Sequence, residues 1–189
     1  NIAPEKNMDY TKSVYSETKQ MNRLIVSFLQ YNRLQKIQHL EKTKCDMKEI
    51  IPEELEKYED LFEAAGIQCE VSMEETELIN GNKELLALVI DNYLSNAYKY
   101  TEGGRMITVK LTREKKGCRF VVWNEGAQLI EDDMTQIWDI LSRQDKSRNR
   151  EKGSTGMGLP ICRRILELHG FAYGCGHKDN GAEFWFEAK

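Results

Sequence analysis

Residues Leu85–Thr101 read Leu-Leu-Ala-Leu-Val-Ile-Asp-Asn-Tyr-Leu-Ser-Asn-Ala-Tyr-Lys-Tyr-Thr, and no other stretch limits the fold so tightly. It contains no helix breaker, and Asn82 after Gly81 supplies an N-cap whose side chain can take up a first-turn amide. At 3.6 residues per turn, Leu86, Ile90, Tyr93 and Ala97 form one apolar stripe that the rest of the chain must cover. The neighbouring stripe begins apolar with Leu85 and Val89 and then changes to Asn92, Asn96 and Lys99. A half-buried amide is costly without a partner, so these polar groups beside a core face need something to bind. A satisfied helix-end network and a bound polar ligand both meet that need.

The remainder of the chain is sufficient to build a core around this helix. Its 189 residues suit one ordinary domain plus an appendage, and 40% hydrophobic with 31% charged residues describes a globular protein, not a disordered one. A net charge of −4 gives no reason to expect nucleic acid or an anionic membrane as partner. The longest apolar run, Leu85–Ile90, is far too short to span a bilayer. Five cysteines (Cys45, Cys69, Cys118, Cys162, Cys175), with no Cys-x-x-Cys pair, favour free thiols over a disulfide frame or zinc site. A chain that opens at Asn1 without a signal peptide is expected to be a piece of a longer one.

Taken in order, residues from about Asp9 to Gln38 are expected to form one long helix. Its apolar positions Val14, Met21, Leu24, Ile25, Phe28, Tyr31, Leu34 and Ile37 recur at steps of three, four and seven. That stripe packs either on its own domain or, as the heptad-like Met21, Leu24, Phe28, Tyr31 suggests, in a bundle or dimer seam. A boundary falls near residues 40–46. Ile50–Ala65 reads as a helix with Pro52 in its first turn and Gly66 at its C-cap. Ile67–Met73, Glu77–Ile79, Met106–Thr112 and Cys118–Asn124 are strand candidates. A short helical piece is expected around Met134, Ile137, Trp138 and Leu141. Ser142–Lys152 has no apolar residue and is expected to be a mobile surface segment. Gly156–Leu168 reads as a helix ending at His169-Gly170, and Phe171–Cys175 and Ala182–Phe186 as closing strands. The sum is a mixed α/β chain with helices on one face of a largely antiparallel sheet.

Two further clusters carry chemistry. Gly153-Ser154-Thr155-Gly156-Met157-Gly158-Leu159-Pro160 combines glycines, which let backbone approach a ligand, with the opening of a helix, whose free amides attract anions. It lacks the Lys-Ser/Thr of a P-loop, and Gly-x-Gly-x-x-Gly is absent, so neither the P-loop nor the Rossmann reading holds. Val121-Val122-Trp123-Asn124-Glu125-Gly126 is a strand ending in an amide and a glycine, which suits either a plain turn or the edge of a flat ligand.

In this order, the stretches resemble the ATP-binding domain of sensor histidine kinases. Asp91–Thr101 resembles the N box of that family, Asn124-Glu125-Gly126 its first glycine box, and Gly156-Met157-Gly158-Leu159 its second. Ile137-Trp138-Asp139 and Asp145-Lys146-Ser147-Arg148 resemble the phenylalanine-box region and the ATP lid. Leu168-His169-Gly170 and Gly181-Ala182-Glu183-Phe184 resemble its closing helix and hairpin. The resemblance runs from about residue 46 to the end, and Glu17, Met21–Ile25 and Arg33-Leu34 resemble the second helix of the dimerisation domain.

What the resemblance implies is an α+β fold: a two-layer sandwich of the Bergerat type, with a mixed, mostly antiparallel sheet, helices on one face and a long helix in front. Residues 1–42 would be the partial dimerisation helix and 46–189 the ATP-binding catalytic domain. The implied activity is transfer of the γ-phosphoryl group of Mg-ATP to a histidine on the absent first dimerisation helix, for relay to a response regulator. Asn96 would offer its carbonyl to Mg²⁺, which takes few protein ligands when phosphates supply the rest. Asn92 would help hold metal and phosphates, Lys99 would neutralise phosphate charge, and Tyr100 would line the nucleotide's edge. The amides of Gly156, Met157 and Gly158 would cradle phosphates, flanked by Thr155 and Leu159. Asn124 would meet the adenine, Gly126 and Ile130 would be further nucleotide-binding positions, and Arg148 and Arg150 in the lid are candidates for the γ-phosphate. The implied setting is the cytoplasmic part of a membrane-anchored bacterial sensor that dimerises through its N-terminal helix.

The chain departs from the family's pattern in three places. Asn124 stands where Asp is usual, and its carbonyl can still accept from an adenine amino group. Ala182 stands where Thr is frequent. The phosphoacceptor motif is absent, and His39, His169 and His177 read as structural. Two alternatives accompany the kinase reading. An ATP hydrolase of the same superfamily would need a Glu base where Asn92 stands, and a nucleotide-binding scaffold without catalysis would suit Asn124 and Ala182.

Overall fold

A computed structural model describes residues 4–103, 105–126, 134–140 and 155–189. The long helix α1 covers Pro4–Lys36, and a short strand β1 (Thr43–Cys45) follows it. Helices α2 (Met47–Leu55) and α3 (Glu59–Ala65) are joined by a single 3₁₀ turn at Glu56–Tyr58. Strands β2 (Gln68–Met73) and β3 (Ile79–Gly81) lead into α4 (Lys83–Tyr100). The chain then forms β4 (Met106–Arg113), β5 (Cys118–Glu125), a 3₁₀ turn at Gln136–Trp138, α5 (Gly158–His169), β6 (Ala172–Lys178) and β7 (Gly181–Ala188).

Five strands make one sheet in the order β2-β4-β5-β7-β6, in which only β2 and β4 run parallel, while β1 and β3 form a separate antiparallel pair. On β5 every second residue, Cys118, Phe120, Val122 and Asn124, is buried. In register with them stand Ile107, Val109 and Leu111 of β4 and Ala182, Phe184, Phe186 and Ala188 of β7, all buried. A side-chain period of two thus gives the sheet one core face, and the helices cover it. This is the expected α+β arrangement of a mixed, mostly antiparallel sheet under a helical layer.

The core half of α4 behaves as its periodicity predicts. Leu86, Ile90, Tyr93 and Ala97 are buried, together with Val89 and Leu94, and removing Leu86, Ile90 or Leu94 from water is worth about 1.5–3 kcal/mol each. Asn82 is the N-cap, its side chain accepting from the Leu85 amide at 3.0 Å. The backbone amide of Asn82 donates to His169 Nε2 at 3.0 Å, and His169 stacks near Phe171, which stacks on Phe186. Tyr93, further along, meets Phe120, Phe184 and Phe186. The helix therefore starts over the Phe186 end of the sheet, and its last turns run toward the Asn124–Ala182 end.

Several boundaries differ from those the sequence suggests. The helix expected at Ile50–Ala65 begins earlier, because Asp46 caps it by accepting from the Lys48 amide at 2.8 Å. Pro52 consequently lies beyond the first turn, where it cannot donate to the carbonyl one turn back, and α2 ends three residues later. The break sets Tyr58 so that its hydroxyl donates to Asp91 Oδ1 of α4 at 2.7 Å. Strand β1 lies in the segment read only as a boundary, and β3 starts where the expected Glu77–Ile79 strand ends. His177, expected in a turn, lies in β6 opposite Ala182. The C-terminal end of the long helix packs on its own domain. Leu34 is buried and Tyr31 and Ile37 are half-buried against the domain, and Arg164 of α5 donates to the Leu34 and Ile37 carbonyls at 3.2 and 3.0 Å. Met21, Ile25 and Phe28 remain exposed, Phe28 by 53%. No helix among the described residues is long and apolar enough to cross a membrane.

His169 ties the helical layer together in a way that depends on its protonation. Its Nδ1 lies 2.7 Å from the Ile165 carbonyl and its Nε2 accepts from Asn82, so the ring is neutral with the proton on Nδ1. Burial, with a smaller effect from Lys42, holds its pKa below the ordinary 6.5. A proton added to Nε2 would face the Asn82 amide donor to donor. The unfolded chain takes up that proton first, so this contribution to stability is present above about pH 6.5 and is lost as pH falls toward the folded value. Thermal unfolding between about pH 7.5 and 5 should show a midpoint that declines more steeply in the native chain than in His169→Gln.

Candidate functional site

The polar stripe of α4 faces the start of α5. Asn92 is half-buried, and its Nδ2 donates to the Leu88 carbonyl at 2.8 Å. Only the amino end of an amide can face a carbonyl, so Oδ1 is turned the other way, toward α5. A Cβ added at Gly158 would lie 2.5 Å from that oxygen, which is why this first helical position admits glycine alone without displacing Asn92. Asn96, one turn further along α4, is half-buried, and its side chain has no hydrogen bond among the described residues. Lys99 and Tyr100 complete the last turn of α4, both half-buried.

The start of α5 is built to present backbone. Gly156 has φ +64°, and Met157, at the N-cap, is buried and makes no side-chain cap. The Met157 amide contacts Thr155 Oγ1 at 3.4 Å. Pro160 carries no N–H, so the first-turn donors at this helix mouth are the amides of Gly158 and Leu159. An anion placed there would meet these amides and the positive end of the helix.

Asn124 is the third component. It is 2% exposed, on the core face of β5, with Ile107 opposite it on β4 and Ala182 opposite it on β7. Neither neighbour has a side-chain hydrogen-bonding group, and Asn124 Nδ2 is buried without a partner among the described residues. A buried, unmet amide donor at the end of a strand is expensive unless a ligand or water completes it. Gly126, two residues on, has φ +88° and donates its amide to the Asn180 carbonyl at 2.8 Å. Arg105, which the sequence did not single out, lays its guanidinium against Gly126 and pairs with Glu102 at 3.2 Å. Its only signal in the sequence is its place after the Gly103-Gly104 turn. A cleft of about 630 Å³ beside Gly126 is lined by Arg105, Glu125, His177, Asp179 and Asn180. No residue of α4 or α5 borders it.

The structure therefore brings Asn92 and Gly158 together and places Asn124 at the sheet end toward which α4 runs. Ile130, Arg148, Arg150 and the whole expected lid Ser142–Lys152 lie outside the described residues. Among the described residues no group of three or more His, Cys, Asp and Glu side chains is arranged to hold a metal ion. Asp91, the carboxylate next to Asn92, is engaged by Tyr58 Oη. The five cysteines are free thiols, and burial pushes those of Cys118 and Cys175 up to about 11.

This combination of a sheet, an asparagine-bearing helix and a glycine-led helix mouth defines a class. The chain belongs to the family of histidine kinase-, DNA gyrase B-, and HSP90-like ATPases, whose model matches residues 81–189. Within it, the similar proteins are sensor histidine kinases. The sensor histidine kinase YcbM of Bacillus subtilis is 26% identical over 172 residues, which span 90% of this chain and 55% of that protein. The probable sensor kinase SilS of Salmonella typhimurium is 34% identical over 92 residues, 49% of this chain and 18% of that protein. The chain thus spans about half the length of YcbM or less of the other relatives. Among solved structures, histidine kinase ThkA in complex with response regulator protein TrrA superimposes with a TM-score of 0.80 at 23% identity, covering 100% of this chain and 52% of that one. Full-length ShkA in complex with AMPPNP gives 0.79 at 23% identity, covering 97% and 38%. These likenesses establish the Bergerat-type fold.

Proposed function

We propose that this chain binds Mg-ATP between the C-terminal half of α4 and the start of α5, as the catalytic domain of a sensor histidine kinase. The observation that carries the reading is the approach of Asn92 Oδ1 to Gly158, which sets a side-chain oxygen beside a helix mouth of backbone donors. The groups present suit the ligand. Mg²⁺ requires one or two protein oxygens when phosphates and water supply the rest, and Asn96, with Asn92 one turn before it, offers them. The amides of Gly156, Met157, Gly158 and Leu159, with Thr155 beside them, would hold phosphate oxygens, and Lys99 would offset their charge. Tyr100 would border the nucleotide, and Asn124, with Gly126, would meet the base. Ile130 as a nucleotide-binding position and Arg148 on the γ-phosphate are carried from the resemblance alone.

Bound Mg²⁺ would neutralise phosphate charge, and the chain's own part is to position and stabilise, which is most of what phosphoryl transfer asks of a protein. In the whole protein the γ-phosphoryl group would go to a histidine outside this chain and then to a response regulator, the partner with which ThkA was solved. Residues 1–42 would be a dimerisation helix and 46–189 the catalytic domain, and the exposed Met21, Ile25 and Phe28 give α1 an apolar stripe for a second copy. Attachment to a membrane would come from other parts of the protein. Hydrolysis is disfavoured, because an amide cannot take a proton from water and the adjacent Asp91 is bound to Tyr58. Calorimetric titration of ATP with and without Mg²⁺ tests the reading: saturable heat that requires the metal is expected, and its absence would refute the site.

A further inference from the structure

The geometry points to Asn124 as a base-reading residue that admits 6-oxopurine nucleotides, such as those of hypoxanthine and guanine, alongside adenine nucleotides. The inference rests on the nucleotide reading above and extends it to substrate range. Asn124 is 2% exposed, and its Nδ2 has no partner among the described residues, because the register sets Ile107 and Ala182 on either side of it. What the fold leaves there is a buried donor, held at the strand end beside Gly126 and in need of an acceptor. An acceptor-only side chain at this position would discriminate sharply. It would welcome the 6-amino group of adenine and repel the O6 of a 6-oxopurine.

An amide carries both halves of the pattern. Adenine presents an amino donor at C6 and an acceptor at N1, which Oδ1 and Nδ2 of asparagine can meet together. Hypoxanthine and guanine present the inverse, an acceptor O6 and a donor N1–H, and turning the same amide by half a revolution meets that pair equally well. Ile107 and Ala182, its two neighbours across the strands, have no polar side-chain atom to hold the amide in one orientation. The absence of a hydroxyl at Ala182 thus has a positive consequence: the facing residue of β7 does not lock Asn124 into the adenine setting.

Competition titrations on the whole chain with Mg-ATP, Mg-ITP and Mg-GTP test this directly. ITP should bind within about tenfold of ATP, and GTP somewhat behind it owing to its extra 2-amino group. Asn124→Asp should weaken ITP by at least about tenfold more than it changes ATP, since O6 would then face an oxygen. ATP binding accompanied by ITP more than about a hundredfold weaker in the native chain would overturn the inference and leave the nucleotide site standing. Binding of none of the three would overturn the nucleotide site, and this inference with it. The native ITP-to-ATP ratio needs no variant, so a poorly folded Asn124→Asp would not shield the proposal.

Discussion

Asn96→Ala is expected to cost at least about tenfold, and up to about a hundredfold, in Mg-dependent ATP affinity while leaving the fold in place. The two halves of that expectation have separate causes. Asn96 has no side-chain hydrogen bond among the described residues, and it lies on the polar stripe of α4, away from Leu86, Ile90 and Tyr93. Removing its amide therefore takes nothing from the core, and alanine is the better helix former by a few tenths of a kcal/mol, so the thermal midpoint should hold or rise slightly. A metal held by one or two protein oxygens, in contrast, loses a large share of its protein ligands. Calorimetry and thermal unfolding on the same sample separate the two, and an unchanged Mg-ATP affinity would remove Asn96 from the site.

The second large effect concerns where the phosphoryl group goes. Incubated with Mg-ATP, the chain alone should bind nucleotide, release phosphate at no more than background rate and carry no label. Asn92 offers no base for water, Asp91 is bound to Tyr58, and none of the three histidines has the neighbours of an acceptor. Joined to an acceptor helix in the longer protein, it should label a histidine, in a linkage lost in acid and stable in base. Rapid phosphate release by the chain alone would identify a hydrolase. Nucleotide binding without label in the longer protein would identify a scaffold.

How much of this was legible beforehand varied with the kind of signal. The core stripe of α4 could be read because its periodicity, its Asn82 cap and its lack of breakers all act locally, and the structure buries the four residues so marked. The split between α2 and α3 was missed, since it follows from Asp46 starting the helix early enough to put Pro52 beyond its first turn. The site divides in the same way. Asn92, Asn96 and the Gly156–Leu159 stretch stood out as residue types, yet the contact that joins them, Asn92 Oδ1 against Gly158, exists only once α4 and α5 pack. Asn124 and Ala182 were noticed as separate departures from a pattern. Strand register makes them one feature, because they face each other across β5 and β7. Strand β1, three residues long and half of a two-stranded pair, had too few residues to show a period.

The Leu34 carbonyl in the last turn of α1 and the Ile37 carbonyl just past it are met by the guanidinium of Arg164, in the middle of α5, the helix whose start forms the glycine mouth. In mechanical terms, α1 is a lever about 50 Å long whose fulcrum is a side chain of α5. Tilting α5 by about 5° would swing the far end of such a rod by about 4 Å, several times the displacement at the fulcrum itself. Were α5 to tilt, this geometry would carry a small rotation into a large excursion of the far end of α1.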